Sequence, residues 1–312
     1  MDTEDLCVIS YNSRGFDGCK RDFIKSLPAI GGCSTVICNQ ENFLLRRNEY
    51  MAKQILPEHH LFCKPAVKEG FDGRPKNGMF VAVPLTLKEK SKNISSTSDR
   101  VQCVIIKDKS CSTLILNTYF PTDPRKDDFD DTELQVLLSE ISRLISENPC
   151  DNVIWTGDIN SDFRRNSRFV DIVDDFVTKL GLEKSWDTYS ADFTHVSERE
   201  GVTYTSVIDH FFWNYLQGTN VKDAGVIHLP ENTSDHCPVF CRFARQCCKN
   251  EKRGIPRDKE CIKPPSWDKF TDSQKEDFVK EVSLRLQDID LPFECNSCRD
   301  FHCENVEGEH ML

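Results

Sequence analysis

Positive charge is in short supply. The 312 residues carry 40 Lys and Arg against 51 Asp and Glu, a formal net charge of −11, so bulk attraction cannot hold a polyanion and any nucleic-acid site must be built locally. Long hydrophobic runs are missing as well. The best apolar stretches, such as Thr113 to Leu116, are strand-sized, far below the roughly 18 residues of a membrane span, and no membrane association is expected. The first residues, MDTEDLCVIS, have neither the basic start nor the apolar core of a secretory leader. An intracellular chain with reduced thiols is therefore expected, and the Asn93-Ile94-Ser95 sequon carries little weight. With 14 Gly and 14 Pro, collagen-like and low-complexity chains are excluded. Cysteine alone is plentiful, at 16, but a chain this long needs no disulfide framework to hold a core.

What is present alternates between strand and helix patterns. Short β-branched and aromatic runs cover Leu6 to Tyr11, Thr35 to Cys38, Met79 to Val83, Val101 to Ile106, Thr113 to Tyr119, Asn152 to Trp155, Thr203 to Trp213 and Pro238 to Phe243. Helical spacing covers Thr132 to Asn148, where Thr132 and Gln135 suggest a capping box, and Ser167 to Leu180, which Gly181 would stop. This mixture predicts an α/β or α+β layered domain over residues 1–244. Residues 245–265 are charged, Pro-bearing and aperiodic, as in a linker. Residues 266–312 hold an amphipathic helix from Thr271 to Ile289, then a Cys/His-rich tail.

Polar clusters sit where the predicted strands end: Tyr11-Asn12, Gln40-Glu41, Asn117-Thr118-Tyr119, Gly157-Asp158-Ile159-Asn160, and Ser206 with Asp209 followed by Ser234-Asp235-His236. Glu41, Asp158, Asp209 and Asp235 with two Asn and one His form an oxygen-rich set, suited to a hard cation such as Mg²⁺ rather than to zinc. Such a metal neutralises a phosphate oxygen while a carboxylate or imidazole deprotonates water, so phosphoester hydrolysis is the natural inference. Any one cluster alone reads more readily as turn and cap residues.

Taken in order, these motifs resemble the endonuclease/exonuclease/phosphatase superfamily, relatives of deoxyribonuclease I and the apurinic endonucleases, from about residue 5 to 243. Within it, the stretches ISYNSRGF, ICNQENFL, LNTYFPTD, VIWTGDINSDF, DFTHVS, TYTSVIDHFFW and SDHCPVF are most similar to the endonuclease domain of LINE-type (non-LTR) retrotransposons. The resemblance implies a four-layered α/β sandwich of two packed mixed sheets flanked by helices. It implies a Mg²⁺-dependent endonuclease, possible also with Mn²⁺, that nicks one DNA strand to leave a 3′ hydroxyl. By the same resemblance Glu41 would be a metal ligand, with Asn12 and Asp235 completing the metal environment. His236 would contact the scissile phosphate, oriented through Asp209. Asp158 would position or deprotonate the water, with Asn160 and Tyr119 stabilising the developing charge, and either Asp158 or His236 would be the general base. Thr194 and Ser206 would contact the DNA backbone. Asn39 and Cys38 depart from the more usual apolar residues before Gln40-Glu41, and Leu87 to Arg100 is a polar loop without family signal.

Arg14, Lys20, Arg21, Arg46, Arg47, Arg164, Arg165 and Arg168 follow closely on three of the motifs, with Arg164 and Arg165 the foremost candidates for DNA contact. In the tail, Cys295, Cys298, Cys303 and His310, with His302 as an alternative, offer four donors for tetrahedral zinc; reduced thiols are the other reading. The segment after the domain resembles the connector that precedes a reverse transcriptase, a domain absent from this chain. A truncated element copy, a gene-model fragment or a host protein derived from one would each look this way. A monomer acting on DNA, by inference in the nucleus, is expected. The rival expectations are the same fold acting on RNA or a small phosphoester, and a host-captured binding module with vestigial catalysis.

Overall fold

The central strands are buried without a break: every residue of Leu6–Asn12, Thr35–Gln40 and Asn152–Asp158 is buried, the mark of strands covered on both faces. Side chains along them still alternate. Leu6 and Val8 face one apolar cluster while Cys7, Ile9 and Tyr11 face another. The computed structural model describes residues 5–32, 34–68, 73, 75–108, 111–124, 129–185, 191–214, 221–244, 271, 275 and 280. In chain order the first half forms β1 (Leu6–Asn12), α1 (Gly18–Gly31), β2 (Thr35–Gln40), α2 (Tyr50–Ile55), β3 (His59–Lys64), β4 (Met79–Pro84), β5 (Ser91–Ile94), β6 (Val101–Lys107) and β7 (Ser112–Tyr119). Then follow α3 (Thr132–Glu147), β8 (Asn152–Asp158), α4 (Arg168–Lys179), β9 (Glu183–Lys184), β10 (His195–Arg199), β11 (Val202–Ser206), β12 (Asp209–Trp213), β13 (Val221–Val226) and β14 (Val239–Phe243).

Two six-stranded sheets result, ordered β13-β14-β1-β2-β4-β3 and β5-β6-β7-β8-β12-β9, with β10 and β11 as a separate hairpin. Each sheet has one parallel pair near its middle, β1 with β2 and β7 with β8. Between the sheets lie Val8, Val36, Val81, Ile115, Ile154, Phe211 and Trp213. The outer face of the second sheet packs Leu116, Trp155 and Phe212 with Leu137 and Ile141 of α3 and Phe169 and Val173 of α4. The outer face of the first packs Ile9 and Ile37 with Phe23 and Leu27 of α1 and Ala52 of α2. The four-layered α/β sandwich expected from the sequence is thus the observed architecture.

Several local expectations change. The run Thr203 to Trp213 is two strands, because β11 stays in the hairpin while β12 joins the second sheet. The stretch Leu87 to Arg100 is not simply a loop: a 3-10 turn over Leu85–Lys90 leads into β5, which pairs with β6 as an edge. The capping box on α3 is not formed; its N-cap is Asp131 and the Thr132 hydroxyl donates to Asp130. Ser167 does cap α4, accepting from Val170 N, and Gly181 follows with φ +65°. The chain divides into Met1–Lys249 and Asn250–Leu312. Apart from residues 271, 275 and 280, the linker, the amphipathic helix and the tail with Cys295, Cys298, Cys303 and His310 lie outside the described residues. Among the described residues no helix is long and apolar enough to cross a membrane, and the thiols of Cys7, Cys38, Cys103 and Cys241 are free and buried.

Glu140 is the buried charge of α3. It accepts from Thr97 N at 2.8 Å and is gripped by Arg143 through Nε and Nη2, each at 2.9 Å. The Arg143 contacts lower its pKa from 4.5 to about 2. A depressed carboxylate contributes stability that is present above pH 4.5 and is lost as the pH falls toward 2. Glu140→Gln is expected to cost about 1–2 kcal/mol at neutral pH, with the difference from the parent shrinking in thermal melts repeated at acid pH.

Candidate active site

Parallel pairing decides where the polar strand ends land. Asn12 pairs with Gln40 across β1 and β2, and Tyr119 with Asp158 across β7 and β8, so these neighbours finish at the same edge. β12 runs antiparallel to β8 and begins there, Asp209 opposite Asp158. The segment Ser234-Asp235-His236 is drawn in because β14, which follows it, pairs with β1. Three hydrogen bonds fix that segment: Ser234 Oγ to Asn12 O at 2.9 Å, Asn232 Nδ2 to His236 O at 2.7 Å, and Tyr11 Oη to Asn232 Oδ1 at 2.8 Å. Beneath, Gln40 Nε2 donates to Asn117 Oδ1 at 2.6 Å, and Asn117 Nδ2 donates to the Asn39 and Phe80 carbonyls, tying the two sheets together.

The result is a cleft of about 800 Å³ lined by Arg14, Glu41, Tyr119, Asp158, Asn160, Asp235 and His236 on one side and by the β10–β11 hairpin on the other. Asn12 Nδ2 donates to Glu41 Oε2 at 3.0 Å and to Asp158 Oδ2 at 2.8 Å. His236 Nδ1 lies 3.0 Å from Asp209 Oδ2, and its Nε2 lies 3.8 Å from Asp158 Oδ2. Asp158 Oδ1 accepts from Asn160 N at 2.9 Å, and Asn160 Nδ2 donates to Phe120 O at 2.8 Å. Glu41 (φ 48°) and Asn160 (φ 54°) occupy left-handed backbone, tolerable for Asn and strained for Glu.

The electrostatics follow from burial and crowding. Burial raises the Asp158 pKa above the usual carboxylate range, reinforced by Asp209 and opposed by His236 and Asn12. Burial works against a charged His236, but the Asp209 and Asp158 carboxylates outweigh it and push the imidazole up to about 9. His195, on the hairpin, moves the other way, to about 4, through burial and the neighbouring His236. Burial and the Glu41 carboxylate push the Tyr119 phenol up.

A hard divalent cation fits these residues. Glu41, Asp158 and Asp235 offer oxygen donors to the cleft, no described cysteine lines it, and the Arg14 guanidinium already rests on Asp235 as a positive group. Asp209 Oδ1 is buried without a hydrogen-bond partner. Asp158, Asp209 and His236 also bring one ligand atom each within 4.8 Å of one another, a buried group able to hold a metal.

The positions of the residues read from the sequence are uneven. Glu41, Tyr119, Asp158, Asn160, Asp235, His236, Ser206 and Arg165 line the cleft, and Asp209 backs it. Asn12, expected among the metal ligands, turns its amide nitrogen to the two carboxylates, while its Oδ1 accepts from Arg14 N. Two flanking anions dictate that orientation. Thr194, expected to contact DNA, is fully buried, and its hydroxyl accepts from Ile208 N and Asp209 N. It supports the start of β12 instead. Arg164 is held by Asp162 through two 2.9 Å contacts and does not line the cleft. Arg165 donates to Thr205 O at 3.0 Å, and Arg168 pairs with Asp131. Sequence reading missed His195, which opens β10 just ahead of Val196 and shows no spacing signal.

No family model matches the chain, and no curated protein matches it in sequence. Solved structures do match in shape. The AP endonuclease LMAP from Leishmania major superposes with a TM-score of 0.60 at 15% identity, covering 78% of this chain and 89% of the other. The endonuclease domain of TRAS1, a telomere-specific non-LTR retrotransposon, gives 0.53 at 17% identity over 77% and 99%. TDP2 of D. rerio, solved with a single-strand DNA product, gives 0.53 at 16% identity over 78% and 100%. The chain therefore has the DNase I-like fold of the endonuclease/exonuclease/phosphatase proteins.

Two outcomes test this geometry. Gly157, just before Asp158, has φ +148°, and a Cβ there would lie 1.9 Å from Thr118 O. Gly157→Ala is expected to cost several kcal/mol, on the order of other severe backbone clashes, read as loss of soluble protein or a lowered Tm. His236 carries a raised pKa, so its stabilisation is full below its ordinary value of 6.5 and is lost as the pH rises through about 9. Metal-free protein should lose Tm across that window, and Asp209→Asn should flatten the loss while NMR shows the His236 pKa falling.

Proposed function

We propose that the protein is a divalent-metal-dependent phosphodiesterase whose substrate is DNA, nicked on one strand to leave a 3′ hydroxyl. The observation that carries this reading is the buried Asp158–His236–Asp209 arrangement opening on a cleft whose other donors are carboxylates. Glu41 and Asp235 would hold Mg²⁺ or Mn²⁺, which when bound neutralises a phosphate oxygen and the departing alkoxide. His236, held through Nδ1 by Asp209, presents Nε2 to the scissile phosphate. Asp158, 3.8 Å from that nitrogen, orients the attacking water and takes its proton. Tyr119 and Asn160 stand beside the charge that develops on the phosphate oxygens. Asn12 keeps Glu41 and Asp158 in place.

DNA is favoured over other phosphoesters by the retrotransposon-like motifs and by the open cleft. The hairpin wall brings Arg199 and Tyr204 to it, and Arg14 and Arg165 line it as well, groups suited to a backbone phosphate and a base. A retrotransposon-derived enzyme acting as a monomer on nuclear DNA is the fuller form of the proposal. The acidic balance of the chain makes its hold on DNA weak and salt-sensitive.

Supercoiled plasmid incubated with Mg²⁺ should convert to nicked circles whose ends a polymerase extends. His236→Ala and Asp158→Ala should each lower the rate by about 10²–10⁴-fold. Undiminished nicking by either variant, or none by the parent, refutes the reading; faster hydrolysis of an RNA oligomer or a soluble phosphodiester reassigns the substrate.

A further inference from the structure

Asp235 has two neighbours on the same oxygen. Arg14 Nη1 contacts Oδ2 from a side chain that is 56% exposed, and His195 Nε2 lies 3.7 Å from that oxygen on a side chain only 20% exposed. The two differ in what a bound cation does to them. A guanidinium beside a metal ligand is repelled by the metal, whereas a neutral imidazole is not, and carboxylates that ligate metals are themselves held by such donors.

His195 is built to stay. It opens β10, and that end of the hairpin is stitched to the active segment by Val196 N to Asp235 O at 2.8 Å and Cys237 N to Thr194 O at 2.6 Å. Its ring lies 4.7 Å from the His236 ring, centroid to centroid. Its Nδ1 is 3.2 Å from Ser206 Oγ. A proton on Nδ1 would leave the Nε2 lone pair facing the Asp235 carboxylate. A proton on Nε2 lets the Ser206 hydroxyl donate to Nδ1 and turns the N–H toward Asp235 Oδ2, 3.7 Å away. The second arrangement faces the carboxylate with the N–H rather than the lone pair, and the carboxylate therefore selects it.

We propose that His195 is a positioning residue for the metal site: the chain Ser206–His195–Asp235 holds the Asp235 carboxylate toward the cleft, and Arg14 is its displaceable counter-ion in the metal-free protein. This rests on the reading of Asp235 as a metal ligand. It gives Ser206 a task inside the protein, and it links the hairpin wall to the metal.

Mn²⁺ binding to the full chain, followed by calorimetry, tests it with three variants. His195→Gln keeps a nitrogen donor near the position of Nε2 and should bind within about threefold of the parent. His195→Phe keeps a ring against His236 but removes both nitrogens, and should weaken binding about 10–100-fold with an unchanged circular dichroism spectrum. Arg14→Ala removes the competing cation and should tighten binding severalfold. Equal affinities for His195→Phe and the parent, an equal loss in His195→Gln, or weaker binding in Arg14→Ala overturns the proposal. Were the parent to nick DNA with Mn²⁺ while His195→Phe bound the metal normally, only this inference would fall; a parent that neither binds nor nicks overturns the proposed function with it.

Discussion

Carboxylates gathered in one cleft repel one another, and the amide of Asn12 is what holds two of them together. At about 4 Å a pair of like charges costs on the order of 4 kcal/mol in a protein-surface dielectric. Donating from one nitrogen to both Glu41 and Asp158 offsets part of that cost and sets their spacing. Glu41 follows β2 and Asp158 ends β8, so this amide also spans the two sheets. The Gln40–Asn117 bond one layer below repeats the same span in a fully buried setting. The sandwich is therefore registered at its active end by polar contacts and along the rest of its length by apolar packing.

The main outline of this arrangement was legible in the sequence, for a physical reason. A buried strand reads as an apolar run, and a polar group just past its end stands out, as Asp158 does after Val153-Ile154-Trp155. Parallel neighbours bring such ends together, so ordered motifs become one site. Elements without that contrast were missed. Helix α1 contains Pro28, which argues against a helix on paper, yet it falls in the last turn, and Asp17 caps the start. The edge strands β5 and β13 are only partly buried, so Lys92, Asn93, Lys222 and Asp223 interrupt their apolar residues. Side-chain partners were harder still. That Thr194 would turn inward to Asp209, or His195 toward Asp235, depends on the pairing of distant segments, which no local pattern encodes.

The acidic balance gains a more specific meaning. Arg164 and Arg168, which follow the Asp158 motif closely, are matched by Asp162 and Asp131. Lys20 is turned back to the Arg14 carbonyl and toward Asp17. Much of the positive charge near the motifs thus neutralises its own neighbours and builds loops. The arginines that line the cleft, Arg14, Arg165 and Arg199, face an acidic floor, so the sign of the cleft changes with the presence of a cation there.

The pairing of β14 with β1 joins Val239–Phe243 to Leu6–Ser10, and it has a consequence for how the molecule comes to exist. His236 reaches its partners only once that pairing forms, so the reactive groups assemble across more than two hundred residues of intervening chain. Contacts of such long separation form slowly, because the loop must close before they repay its entropy. During synthesis the first strand waits with an unpaired edge until nearly the whole domain has left the ribosome. A site organised in this way stays incomplete while the chain is being made.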